Sequence, residues 1–239
     1  KPGRSQDSDR NPVTRLIESS LEKFRNSANA DESRLILKNL RDGIRSADPN
    51  QAAAAIAAFL KTGDDAPTRL PFTVGDGGMM NEVSSFRLAL LDLLPALDPE
   101  LALTVSREIM DRKTNPDEFA LALRNLAWND LNGDLYAEVI DRLNQMIQTK
   151  DWIAEPSAGF LEAIDAAVFV KNEQAFDILV SLHQSAEQSG DLNLGRASFM
   201  ALDRVVLGNP EVLIQAFEKD PGLSHMDPSL RASLMSRMD

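Results

Sequence analysis

The chain has 239 residues, of which 43% are hydrophobic, 5% aromatic and none cysteine, and it carries a formal charge of -12. The missing cysteines exclude disulfides, thiol catalysis and zinc–thiolate sites, and the acidic balance argues against nucleic acid as a partner. Ala, Leu and Ile supply most of the apolar content, which favours helix over strand.

In chain order, residues 1–11 are polar and lack periodicity, and are expected to form a flexible tail. The chain opens on Lys1, which is compatible with a removed signal peptide, a removed membrane anchor or an arbitrary start. KPGRSQDSDRNP resembles a polar tether behind a leader, so export or the cell envelope is the expectation, weighed against the cytoplasm. No apolar run reaches the roughly 18–20 residues that a membrane-spanning helix needs, so no membrane insertion is expected in this chain. Residues 1–50 hold a net charge of +2, against -14 in the remainder.

Pro12 sits where a first helical position tolerates its missing N–H, and Leu16, Ile17, Leu21 and Phe24 follow at helical spacing, predicting a helix over 12–26. A second helix is expected over 31–47, with Leu37, Leu40 and Ile44 on one face. Asp48-Pro49 then breaks it and caps the Ala-rich helix that follows. Gly63–Met80 contains two prolines and four glycines without helical pattern, and is read as an irregular insertion. Helices resume near 81–95, 99–111, 116–129, 134–149, 157–170, 172–188, 192–207, 210–219 and 228–237.

The breaks repeat. Asp42, Asp92 and Asp203 each precede an Asp/Asn-Pro corner by six residues, at Asp48-Pro49, Asp98-Pro99 and Asn209-Pro210. Asn125 and Asp165 continue this column between them, with spacings of 50, 33, 40 and 38 along it. Helix pairs recurring at about 35–40 residues are the pattern of an α-solenoid, in which each hairpin buries its apolar face against its neighbours. The expected fold is therefore all-α, a superhelix of antiparallel helix pairs over 12–239. The corners and the Asp column resemble HEAT repeats across residues 31–220. Here Pro49, Pro99 and Pro210 open the second helix, where that family carries proline within the first. The resemblance implies a protein-interaction surface rather than a reaction. The column itself is read as scaffold, its side chains accepting backbone N–H groups at corners or in the neighbouring repeat.

Arg34, Lys38, Arg41 and Arg45 lie at i, i+4, i+7 and i+11, one helix stripe. The plain reading of such a stripe is a solvated face, weighed on this acidic protein against a site for an anionic partner or for the acidic end of a neighbouring molecule. Gly75–Gly78, GDGG, lacks the Lys-Ser/Thr of a phosphate loop and any preceding strand. The insertion around it, with Phe72 and Asp76, is nonetheless a place for a specific contact, because long loops on rigid scaffolds often carry function. Asp130, Asn132, Asp134 and Asp141 fail the calcium-loop spacing, with Leu135 where Gly is required. An Asn132-Gly133 turn, with Asp134 capping the next helix, fits them better. His183 and His225 form no ligand pair, and no G-x-S-x-G elbow is present.

The expected role is thus a non-catalytic scaffold or adaptor without cofactors, binding protein or peptide, with a homodimer through one end of the stack as a further expectation. The competing reading is a small-ligand binder or carboxylate-based hydrolase, with its site in the concave face closed by the 63–80 loop. Raised carboxylate pKa values in a deep pocket would favour that alternative.

Overall fold

A computed structural model describes residues 11–70, 82–130, 132–154, 157, 159–220, 226 and 228–237. Phe72, Asp76, the GDGG run, His225 and residues 1–10 lie outside the described residues. Thirteen helices and no strand are found among those described, and none of the helices is long and apolar enough to cross a membrane. They fall into two compact units, one ending at Arg112 and the other starting at Lys113.

The first unit holds α1 (Pro12–Asn26), α2 (Ala30–Arg45), α3 (Pro49–Leu60), α4 (Phe86–Leu97) and α5 (Pro99–Arg112). Three of these helices start at an Asn/Asp-Pro corner, because the side chain accepts an orphan N–H while Pro occupies the first turn. Asn11 accepts from Val13 N at 2.9 Å, Asp48 from Gln51 N at 3.0 Å and Asp98 from Leu101 N at 2.9 Å. Helix α1 packs on α2 and α3, and α3 packs on α4 and α5. The core centres on Phe86, whose ring lies 5.4 Å from both Phe24 and Phe59.

Helix α4 begins at Phe86 and not near 81, because the segment before it is otherwise engaged. Thr68 N donates to Ser84 O at 3.0 Å, Phe86 N donates to Ala66 O at 2.9 Å, and the Thr68 hydroxyl donates to Val83 O at 2.5 Å. These bonds join residues 66–68 of the expected irregular segment to residues 83–86, which were expected to be helical, around one isolated antiparallel bridge between Pro67 and Ser85. Ser85 then caps α4 through Leu88 N.

The second unit holds α6 (Pro116–Trp128), α7 (Tyr136–Gln148), α8 (Lys150–Ala154), α9 (Phe160–Val170), α10 (Glu173–Ser189), α11 (Leu192–Gly208), α12 (Glu211–Lys219) and α13 (Pro228–Met235). Helix α6 packs on α7 and α9, α9 on α10 and α11, α10 on α11 and α12, and α11 on α12 and α13. The single turn of α8 is an addition to the expected helices. Asn115-Pro116 provides another capped corner, with Asn115 accepting from Asp117 N at 2.8 Å and Glu118 N at 3.1 Å. Close approach of α9 to α6 depends on Gly159, since a Cβ there would stand 2.5 Å from Asp117 Cα.

One corner, one turn and two column positions behave differently from expectation. Asn209 does not cap α12; its amide donates to Lys171 O at 2.8 Å. Asp130, rather than Asp134, closes the turn before α7, accepting from Asp134 N at 2.9 Å and Leu135 N at 2.6 Å. Column residues Asp165 and Asp203 engage arginine side chains instead of backbone, Arg204 at 2.5 Å and Arg237 at 2.7 Å. A further ion pair joins Arg124 of α6 to Glu162 of α9 at 2.8 Å, with both side chains buried.

Candidate functional site

Helix α2 is amphipathic by sequence. Leu37, Leu40 and Ile44 turn into the first unit's core, and this leaves the adjacent stripe to charged side chains. Helix α2 packs on α1, and Gly43 leaves room there for the end of the Leu16 side chain, which a Cβ would meet at 2.5 Å. The stripe therefore faces outward in a defined orientation.

The structure brings Arg34, Lys38, Arg41 and Arg45 together along a groove of about 400 Å³, with Asp42 and Glu82. Its apolar part is Leu37 from the helix and Leu70 and Val83 from the two ends of the bridged segment. All three apolar side chains are buried. Six charged groups line this groove, four cations and two carboxylates, so it holds a surplus of two positive charges on an acidic protein.

The cations are not equivalent. Arg34 is committed: Nε donates to Glu82 at 2.8 Å and Nη1 to Asp31 at 2.8 Å. The hydrogen bond and charge of Glu82 raise its pKa further, so it stays protonated. This pairing ties α2 to the segment preceding α4. Lys38, Arg41 and Arg45 make no ion pair among the described residues. Lys38 and Arg45 are exposed and Arg41 is half-buried. Of the expected contacts, Phe72 and Asp76 lie outside the described residues. Leu70 and Val83 were missed by sequence reasoning, because only the bridge between 66–68 and 83–86 brings them to α2.

The remaining sequence motifs have structural occupations. His183 is buried, its Nδ1 lying 3.0 Å from Gly195 O and 3.2 Å from Ser198 Oγ, so this ring joins α10 to α11. Among the described residues, no group of three or more His, Asp or Glu is placed to hold a metal ion. Both oxygens of Asp130 are occupied by backbone N–H groups. No protein-family model, curated protein or solved structure matches this chain.

Proposed function

We propose that this chain is a non-catalytic interaction scaffold whose α2 groove receives an acidic, amphipathic segment of a partner protein. Three cations that make no ion pair among the described residues, set beside an apolar floor, carry the reading. A segment alternating carboxylates with leucine-like side chains satisfies both parts. Its charges meet Lys38, Arg41 and Arg45, and its apolar side chains cover Leu37, Leu70 and Val83. Charge supplies steering and register, and the apolar contact supplies affinity. The groove runs along one helix beside apolar side chains, a form that amphipathic peptide segments can occupy.

The architecture we propose for each unit is a short stack of antiparallel helix hairpins of HEAT type. Contacts that skip one helix support it: α1 with α3, α3 with α5, α9 with α11 and α11 with α13. Three ion pairs of the second unit, Arg124–Glu162, Arg204–Asp165 and Arg237–Asp203, join residues 38, 39 and 34 positions apart, close to the repeat length expected from the sequence, while Lys219–Glu173 spans 46. Stacked hairpins of this kind place equivalent side chains one repeat apart in contact.

Fluorescence anisotropy with a labelled peptide of alternating glutamates and leucines tests the function. Wild-type protein should bind it, and more weakly at high salt, since exposed charges are screened beyond about 10 Å at 0.1 M ionic strength. The double reversal K38E/R41E should weaken binding about tenfold or more, as each substitution replaces attraction by repulsion. Unchanged affinity in that variant would refute the groove as the site. Light scattering of the protein alone checks whether the acidic segment comes instead from a second copy.

A further inference from the structure

The second unit carries a separate cavity of about 460 Å³, lined by Trp128 from the end of α6, Asp165, Val168 and Phe169 from α9, Lys171, and Arg204 and Leu207 from α11. From it we infer a binding site for a small organic monocarboxylate, an apolar body carrying one carboxylate. The inference is independent of the α2 groove. Asp165, Val168 and Phe169 lie at i, i+3 and i+4, and Arg204 and Leu207 at i, i+3, so each helix offers one face to the cavity. One side of it is apolar, with Phe169 and Leu207 beside the half-buried Trp128, and Leu207 is 61% exposed although it is a large apolar side chain.

The other side is cationic: the Arg204 guanidinium is anchored and the Lys171 backbone is fixed. Arg204 is anchored by Nη1 on the buried Asp165 carboxylate at 2.5 Å. A guanidinium has five N–H donors, so this anchor leaves others for a ligand. Lys171 ends α9 in a left-handed conformation, φ +50°, that a side chain rarely adopts, and its carbonyl is held by Asn209. Its stem crosses Gly208, where a Cβ would lie 3.0 Å from Lys171 Cδ and 3.4 Å from Nζ. Glycine at 208 therefore makes room for the lysine side chain at the cavity.

Charge selects the ligand class. Lys171 and Arg204 against Asp165 leave one positive charge, which one carboxylate balances, whereas a phosphate dianion would add repulsion from Asp165. A cavity of this size suits a ligand of modest dimensions.

The chain has two tryptophans, so its ¹⁵N spectrum holds two indole N–H signals, and W152F assigns the Trp128 signal. Titration with hexanoate should shift the Trp128 signal saturably, while hexylamine should not. Hexan-1-ol should bind at least fivefold more weakly than hexanoate. K171Q, an exposed position, should keep the wild-type circular dichroism and weaken hexanoate at least fivefold. R204Q should do the same, with K171Q deciding if R204Q fails to fold. No saturable shift with hexanoate would overturn the inference. So would equal binding of hexanol, or a folded K171Q that binds hexanoate as wild type does.

Discussion

The buried pair Arg124–Glu162 gives the sharpest test of how the second unit is held together. Glu162 is 2% exposed and Arg124 7%, and their charged atoms stand 2.8 Å apart. Arg124 also lies 4.6 Å from the centre of the Trp128 ring. In R124M the Glu162 carboxylate loses its cation while remaining buried, and breaking such a pair costs about 3–5 kcal/mol. The lost cation–π contact adds about 0.5–1 kcal/mol. For a unit of this size each kcal/mol lowers Tm by roughly 3–5 °C, so a fall of about 10–30 °C is expected. Replacing both partners, R124M/E162L, removes the buried charge altogether and should recover most of the loss. Urea unfolding of wild type, both single variants and the double variant, followed by circular dichroism, closes the cycle. A coupling energy of about 3 kcal/mol, at the top of the range for contacting residues, is expected from it. A loss below about 1 kcal/mol in R124M, or a double variant as unstable as the sum of the singles, would refute the assignment of this pair as a desolvated link.

Two further predictions rest on the cores and on pH. F86A removes the ring that joins Phe24 and Phe59, and should cost about 3–5 kcal/mol in a thermal melt while leaving the second unit's transition in place. Burial pushes the Asp165 pKa above its ordinary 3.8, opposed by the hydrogen bond and charge of Arg204 and the charge of Arg124. Between 3.8 and that raised value the folded protein binds more protons than the unfolded chain. The contribution of Asp165 is thus most favourable at low pH and declines as pH rises through the raised value. Stability measured across that window should lose this slope in D165N.

Helix formation was largely legible, because its signals are local. Asn11-Pro12, Asp48-Pro49 and Asp98-Pro99 mark helix starts by chemistry confined to three or four residues, and the spacing of Leu37, Leu40 and Ile44 sets which face α2 buries. Asn209-Pro210 looks the same in sequence, yet Asn209 turns to Lys171, a choice set by a neighbour 38 residues away. The start of α4 was misjudged for a similar reason: residues 83–86 pair with 66–68, and pairing across an insertion leaves no periodic trace.

The candidate groove was half legible. Arg34, Lys38, Arg41 and Arg45 share one helix, so spacing alone aligns them, but Leu70, Val83 and Glu82 reach them only through the bridge. Sequence spacing also gave no hint that Arg34 differs from the other three, since its partner Glu82 lies 48 residues on. Arg124 was hidden in the apolar run FALALRNLAW, where a single cation reads as a solvent-facing position until Glu162 is placed beside it.

Hydrogen–deuterium exchange of the protein, with and without a saturating glutamate–leucine peptide, tests the central claim most directly. The account predicts slower exchange in α2 over residues 30–45 and in the segment around Glu82 and Val83, with the second unit unchanged. Protection confined to the second unit, or binding with no protection in α2, would contradict it.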